Sequence, residues 1–158
     1  MNVQVVGEAR TRELRRAVLR PQLRLSDVLP GDELSDAVHI AALDGDEVLG
    51  TCFIHPSPCP WRPGEPGWRL RQMATAPARQ GTGVGSAVLA GAVTFVAAHG
   101  GGVLWLHARE VAVPFYARNG LAVHGERFIE NRIPHREMWH NVPAAPSRPS
   151  SDERYRVP

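Results

Sequence analysis

The fold of this chain is decided by residues 68–89, which read Trp68-Arg-Leu-Arg-Gln-Met-Ala-Thr-Ala-Pro-Ala-Arg-Gln-Gly-Thr-Gly-Val-Gly-Ser-Ala-Val-Leu89. The pattern predicts a strand, then a turn carrying Gly81, Gly83 and Gly85, then an amphipathic helix. Backbone approaches an anion closely where side chains are absent, and the first-turn N–H groups of a helix are unpaired at the positive end of its dipole. The turn is therefore predicted to bind a pyrophosphate group.

Outward from this segment, short apolar runs alternate with helical patterns and with loops rich in glycine and proline. The predicted elements are a strand at 3–6, a helix to Arg20, strands at 37–43 and 47–54, a proline-rich loop at 56–67, a strand at 68–75, a helix ending at 99–102, a strand at 103–107, a helix at 110–119, and strands at 121–128 and 133–142. The Asp44-Gly45-Asp46 turn predicts that the second and third strands form a hairpin. This order is typical of a mixed sheet flanked by helices.

Composition limits the class of protein. A chain of 158 residues with 43% hydrophobic residues is the size of one domain. We expect that domain to span 1–142, and we expect the tail at 143–158 to be disordered, because proline, serine and charged residues replace the apolar pattern there. Without an apolar signal segment or a membrane-length run, a cytoplasmic location and no membrane partner are expected.

Charge and cysteine content indicate few special partners. The formal net charge is only +2, so a nucleic-acid partner is not expected. Arginines cluster in and just after the first helical stretch without interleaved aromatic residues, and we interpret them as a solvated helix face; they are Arg10, Arg12, Arg15, Arg16, Arg20 and Arg24. Cys52 and Cys59 are too few for a disulfide framework, and with His55 they fall short of the four ligands of a zinc site. No metal is expected.

Several motifs together resemble the GCN5-related N-acetyltransferase (GNAT) superfamily over residues 3–142. Its acetyl-CoA loop is similar to Gln80-Gly-Thr-Gly83-Val-Gly85, and its preceding strand is similar to Arg69–Thr75. Its later helix, commonly Ala, then Phe-Tyr, then Gly-Phe, is similar to Ala112, Phe115-Tyr116 and Gly120-Leu121. The chain departs from many relatives in carrying His107 where they have asparagine.

A second resemblance concerns the C-terminal run from Phe128 to Met138, which contains Ile133-Pro-His135. It resembles a subgroup of small bacterial acetyltransferases with an Ile-Pro-His element. The family resemblance implies an α/β (α+β) fold with a mostly antiparallel sheet of six or seven strands, about four flanking helices, and a splay between the fourth and fifth strands. It also implies acetyl-CoA as co-substrate, an amine acceptor, and a monomer or homodimer.

The resemblance implies which residues hold the coenzyme. They are Met73, Ala74, Thr75, Gln80, Gly81, Thr82, Gly83, Val84, Gly85, Ser86, His107 and Phe115. The backbone of the glycine turn is expected to bind the pyrophosphate, and the backbone of the splayed strand is expected to pair with the pantetheine arm and the thioester carbonyl. The turn can also be read as merely a tight connection, and His107 as a core histidine.

Catalytic roles follow from the chemistry of amide formation. A neutral amine attacks the thioester, an oxyanion is stabilised, and the departing thiolate takes a proton. Tyr116 is implied as the proton donor, because a phenol with a pKa of about 10 stays protonated at neutral pH. Glu130 and His135 are candidates for activating the amine. The open alternatives are a packed Phe115-Tyr116 pair and structural roles for Glu130 and His135.

The acceptor pocket is expected between the first helix with its following loop, the loop at 56–67, and the last two strands. Tryptophans are predicted to supply apolar walls and glutamates a carboxylate for a cationic acceptor; they are Trp61, Trp68 and Trp139, and Glu126, Glu130 and Glu137.

Two other classes of function stay open on the sequence alone. The chain could be a non-catalytic module that senses acyl-CoA, which would bind coenzyme A without turnover. A nucleotide-binding fold is disfavoured because the turn lacks the Lys-Ser/Thr pair of a P-loop and has Ser86 at the last glycine position of the dinucleotide fingerprint.

Overall fold

The computed structural model describes residues 1–146 and contains seven strands and three α-helices. The strands are β1 (Asn2–Val6), β2 (Val38–Asp44), β3 (Glu47–Pro56), β4 (Gly67–Thr75), β5 (Gly102–Arg109), β6 (Ala122–Glu130) and β7 (Ile133–Val142). The α-helices are α1 (Glu8–Leu19), α2 (Val84–Ala98) and α3 (Val113–Arg118), and two 3-10 turns span Pro77–Arg79 and Glu110–Ala112.

The strands form one sheet in the order β1-β2-β3-β4-β5-β7-β6. Every neighbouring pair is antiparallel except β4 and β5, which run parallel. The predicted mixed, mostly antiparallel sheet is confirmed. Three α-helices are found in residues 1–146, as the residue pattern predicts, instead of the about four that the family resemblance implies. The predicted helix at 110–119 begins as a 3-10 turn.

The main core lies between the sheet and helix α2. Successive strand residues point to opposite faces, so β5 contributes Leu104, Leu106 and Ala108 to this core. Helix α2 packs onto them with its own buried residues, which are Val84, Val88, Leu89, Ala92 and Val96. Tyr116 of α3 belongs to the same core. Helices α2 and α3 therefore lie on one face of the sheet.

The opposite face carries helix α1 and the long loops. On this face Val103 and Trp105 form a second cluster with Cys59 of the proline-rich loop. Helix α1 contacts strands β2 and β4 through Thr11, whose hydroxyl is 3.3 Å from His39 Nδ1, and Arg15, which donates a hydrogen bond to Gln72. The two faces thus differ in chemistry, one being apolar and the other rich in polar side chains.

Strands β4 and β5 separate partway along their length. They are paired only at Gly67–Val103, Trp68–Leu104 and Arg69–Trp105. Beyond these pairs β4 continues to Thr75 and β5 to Arg109 without pairing to each other. The predicted splay is confirmed, and it leaves a cleft with unpaired backbone on both of its walls.

The segment after β7 is described only in part. Residues 143–146 form neither helix nor strand, and the Ala145 N–H donates a 2.8 Å hydrogen bond to the carbonyl of Ala97 at the end of α2. The disordered tail predicted for 143–158 lies outside the described residues from 147 onward, so for that part it stays a prediction.

Candidate active site

The glycine turn stands at the N-terminus of α2 with its backbone open. Gly81 has φ +76° and Gly83, the residue that caps α2, has φ +90°, a left-handed conformation that favours glycine. An added Cβ at either position would meet no atom within 4 Å. No side chain caps the helix, and the Thr82 hydroxyl donates instead to the Arg79 carbonyl. The first N–H groups of α2 are thus left to an external acceptor.

The turn is packed against the two neighbouring elements at Gly85. A Cβ there would lie 3.3 Å from Phe115 Cζ and 3.5 Å from Thr75 Oγ1, so Gly85 lets α2, α3 and the end of β4 meet. Val84 is buried in the core, whereas Gln80 is exposed and Ser86 half-buried. The structure therefore brings most of the predicted coenzyme residues of the turn, the strand and α3 to one place.

Strand β4 carries a bulge beside the cleft. Its pairing with β3 shifts between Thr51 and Phe53, and Gln72 at this point has φ +55°. Met73 and Ala74 follow directly, and Ala74 pairs with Thr51 while its other edge faces the cleft left by β5. A left-handed residue other than glycine costs about 1 kcal/mol or more and persists only where neighbours hold it.

Arg15 is one of the neighbours that hold the bulge. Its side chain is 1% exposed, and its guanidinium donates to Gln72 Oε1 at 3.1 Å, to Asp32 at 3.3 Å and to Glu8 at 2.6 Å. The Gln72 amide also donates to the Pro30 carbonyl. The prediction of a solvated arginine face is wrong for Arg15, because its carboxylate partners come from the loop and the first turn of α1.

The same network sets the ionisation of two further groups. Burial acts to raise the pKa of Asp32, but the Leu29 N–H and the guanidinium groups of Arg12 and Arg15 outweigh it and lower that pKa. Burial, together with Arg15, lowers the pKa of His39 to about 4. Asp32 is therefore charged and His39 neutral at pH 7.

Tyr116 of α3 lies in the main core, on the same face of the sheet as α2. Its side chain is 6% exposed, and its ring meets the Phe115 ring edge-on with centroids 5.0 Å apart. Burial raises the pKa of the Tyr116 phenol well above its ordinary value of 10. The hydroxyl is therefore protonated at every working pH. A general acid needs this state, whereas a general base would have to be deprotonated.

The candidate base Glu130 is paired with His107. The Glu130 carboxylate lies 2.7 Å from His107 Nδ1, and His107 Nε2 lies 3.8 Å from Glu137. His107 belongs to the part of β5 that has separated from β4 and pairs only with β7. It lies on the same face as Trp105, opposite to the core residue Leu106. The structure therefore groups His107 with the acidic residues rather than with the glycine turn.

His135 joins this group through an aromatic contact. Its ring stacks on Phe128 at 5.8 Å, and Phe128 meets His107 edge-on at 5.0 Å. His135 is 7% exposed and its Nδ1 lies 2.7 Å from the Ile133 carbonyl, so Nδ1 carries the hydrogen and Nε2 is the acceptor. Both candidate bases thus lie on the α1 face of the sheet, beside the cleft.

The tryptophans predicted as walls of the acceptor pocket lie on both faces of the sheet. Trp61 stacks on His124 at 4.3 Å and meets Trp105 edge-on, and Trp139 packs against the same cluster. Trp68 points the other way and meets Phe95 of α2 at 5.6 Å, so its assignment to the acceptor pocket is wrong. Trp68 directly precedes Arg69 in the strand, and the two side chains therefore face opposite sides of the sheet.

Sequence reasoning missed three residues of the α1 face. Arg69 and Arg71 lie on β4 with their guanidinium groups over the rings of Trp105 and Phe53, at 4.9 and 5.7 Å. Gln72 supplies the bulge. The available signal was the alternation of polar and apolar residues in 69–71, which predicts a strand with one polar face but does not say what that face holds, and Gln72 breaks this alternation.

Comparison with known proteins identifies the class. A family model described as "Acetyltransferase (GNAT) family" matches residues 8–121, and the chain therefore belongs to the GNAT family. It is an enzyme of the N-acetyltransferase type. A search among curated proteins gave no significant match. Within residues 1–146, no helix is long and apolar enough to cross a membrane.

Solved structures share the fold. An aminoglycoside 6'-N-acetyltransferase complexed with coenzyme A superposes with a TM-score of 0.73 at 15% identity, covering 93% of this chain and 100% of its own. Escherichia coli ElaA gives 0.70 at 20% identity, covering 89% and 100%. An acyl-CoA N-acyltransferase from Pseudomonas aeruginosa gives 0.66 at 19% identity, covering 87% and 96%. These likenesses confirm the GNAT architecture.

Proposed function

We propose that the protein transfers the acetyl group of acetyl-CoA to a primary amine of a small molecule or peptide, by direct attack in a ternary complex. The observation that carries the proposal is the parting of β4 and β5 beyond Arg69 and Trp105, directly beside the uncapped N-terminus of α2. One end of this arrangement suits a diphosphate, and the cleft offers backbone to an extended thioester.

The residues present fit coenzyme A. The N–H groups from Gly81 to Ser86 would bind the pyrophosphate, and the backbone of Met73, Ala74 and Thr75 would pair with the pantetheine arm. Gln80 and Thr82 flank this site, and Phe115 closes it at Gly85. The bound co-substrate supplies the activated acyl group.

Acetyl transfer involves two proton transfers, and different residues carry them out. The amine nitrogen forms a bond to the thioester carbonyl carbon, and the carbon–sulfur bond breaks. The nitrogen loses one proton, which Glu130 accepts in its pair with His107, directly or through His135. The sulfur gains one proton, which Tyr116 donates. Because burial keeps the phenol protonated, Tyr116 is ready to act as the acid throughout the working pH range.

The test measures free thiol released from acetyl-CoA with a panel of amines, for the wild type and for Tyr116→Phe. Loss of a general acid is expected to lower kcat about a hundredfold, while the Kd of acetyl-CoA and the melting temperature stay close to those of the wild type. Unchanged turnover in Tyr116→Phe would remove that residue from the acid role. Binding of coenzyme A without turnover of any amine would favour a sensing module instead.

A further inference from the structure

The α1 face of strand β4 carries two neighbouring cations. Arg69 and Arg71 are two residues apart on one strand and therefore point to the same side of the sheet. His55 of β3 is the register partner of Arg69, so its ring lies on that side as well. Burial lowers the pKa of both Arg69 and His55, and the Arg71 guanidinium lowers both further, as expected for neighbouring groups on one side of the sheet.

These groups have few acidic partners. Within residues 1–146, neither Arg69 nor Arg71 forms an ion pair within 4 Å, in contrast to Arg12 and Arg15 of α1. Arg69 lies 3.3 Å from His107 Nδ1, with the Glu130 carboxylate nearby, and its Nε is buried without a hydrogen-bond partner.

His55 on the same face also has a buried polar atom that lacks a hydrogen-bond partner in the described part of the chain. This atom is Nε2, and the residue as a whole is 9% exposed. The carboxylate of Asp36 is close enough to His55 to oppose the lowering of its pKa. A buried polar atom without a partner is costly, and a bound ligand is one way to satisfy it.

The α1 face of the sheet therefore carries both a negatively charged and a positively charged group of side chains. The carboxylates of Glu130 and Glu137 lie at His107 of β5, which the Arg69 guanidinium also approaches, and the Arg71 guanidinium lies over Phe53 of β3, on the other side of β4. An amine suits the first group, and an anionic group suits the second, since guanidinium binds carboxylate and phosphate oxygens in a bidentate manner.

We propose that the acceptor is a small amine that also carries an anionic group, a carboxylate or a phosphate, which Arg71 and Arg69 bind while the amine faces Glu130 and His107. This inference rests on the proposed acetyl transfer and specifies its acceptor. Arg71 is then a specificity-determining residue, and a polycationic amine is a poor acceptor for this chain.

The test compares matched amines in the thiol-release assay. Glycine and its amide form the carboxylate arm, phosphoethanolamine and ethanolamine form the phosphate arm, and an aminoglycoside serves as the polycation. We expect the anionic member of at least one arm to have a kcat/KM at least tenfold above its neutral counterpart. The arm that responds identifies the anionic group.

Variants then assign the effect to the arginine. Arg71→Met should lower kcat/KM for the anionic amine about tenfold to a hundredfold, mainly through KM, as expected for a lost charge-assisted contact. Arg71→Lys should recover part of the loss, and Arg127→Met, which removes an exposed arginine paired with Glu110, should change nothing. The Kd of acetyl-CoA should stay the same in all three.

The outcomes separate this inference from the function on which it rests. Equal turnover of anionic and neutral amines, or an equal loss for both in Arg71→Met, overturns the anionic acceptor while acetyl transfer stands. Absence of acetyl-CoA binding, or binding without thiol release for any amine, overturns the transfer itself and the acceptor with it.

Discussion

Helices α1 and α2 lie on opposite faces of the same sheet and are attached to it in different ways. Helix α2 buries a row of apolar residues, and no side chain occupies its N-terminus. The buried residues of α1 are Thr11 and Arg15, and this helix is held by the ion pairs of Arg12 and Arg15 with Asp32 of the following loop. Because α2 is held by apolar packing, the N–H groups at its N-terminus stay open to a ligand. The charged side chains of α1 instead position the loop at Asp32 and the β4 bulge at Gln72.

The largest effect should follow from removing the anchor of α1. Arg15→Met removes a buried guanidinium that donates to Asp32, Glu8 and Gln72. Arg12 still pairs with both carboxylates, and the loss of the buried donor is expected to cost about 3 kcal/mol of the free energy of unfolding. Chemical denaturation of the purified variant measures this cost. Arg10→Met, on the exposed side of α1, should stay within about 0.5 kcal/mol and is the matched control.

A small cost for Arg15→Met, equal to that of Arg10→Met, would mean that α1 is held by packing as α2 is. The variant also loses the donor to Gln72, so its turnover should fall more than its acetyl-CoA affinity.

The second effect concerns pH and is confined to the α1 face. The pKa of His39 is lowered to about 4 in the folded state from an ordinary value of 6.5, so its contribution is complete above pH 6.5 and is lost as the pH falls toward 4. At pH 5 the loss is about 2 kcal/mol, since each pKa unit corresponds to about 1.4 kcal/mol. His39 faces Arg15, Glu8 and Asp32, and the lowered pKa of Asp32 keeps that carboxylate charged between pH 7.5 and 5.

The measurement is the free energy of unfolding between pH 7.5 and 5 for the wild type and His39→Gln. The variant should show a shallower decline, because a glutamine takes up no proton. Parallel curves for the two proteins would show that His39 is not the group that titrates.

The smallest effect should come from the two ends of α2. Gly83 and Gly100 have φ +90° and +96°, and an added Cβ at either would meet no atom within 4 Å. Replacement by alanine should therefore cost similar stability, about 1 kcal/mol, at both ends. Only Gly83→Ala should weaken coenzyme A binding, about tenfold, because only that end presents free N–H groups. Calorimetric titration of both variants makes the comparison, and an equal effect on affinity would contradict it.

The same contrast explains what could be predicted from the sequence. Helix α2 and the glycine turn were predictable because their determinants are local: apolar spacing, and glycines at positions that need positive φ. The sheet, the hairpin at Asp44–Asp46 and the splay followed from strand order and from the family resemblance.

The rest depends on contacts between distant parts of the chain. Arg15 was assigned to a solvated face because its partner Asp32 lies 17 residues away and Gln72 lies 57 away. The apolar residues Leu14, Ala17 and Val18 of α1 are half-buried or exposed, so apolar spacing does not mark the buried side of this helix. The pairing of Glu130 with His107 likewise requires β6 and β5 to be brought together by β7. Such pairings have no local pattern, so the α1 face became clear only from the structure.

The central claim is that the open N-terminus of α2 and the parted strands β4 and β5 bind acetyl-CoA. Isothermal titration of the purified protein with acetyl-CoA tests it most directly. The account predicts saturable binding of one acetyl-CoA per chain, weakened in Gly83→Ala and retained in Gly100→Ala. Absence of binding by the folded wild-type protein, with either acetyl-CoA or free coenzyme A, would contradict it.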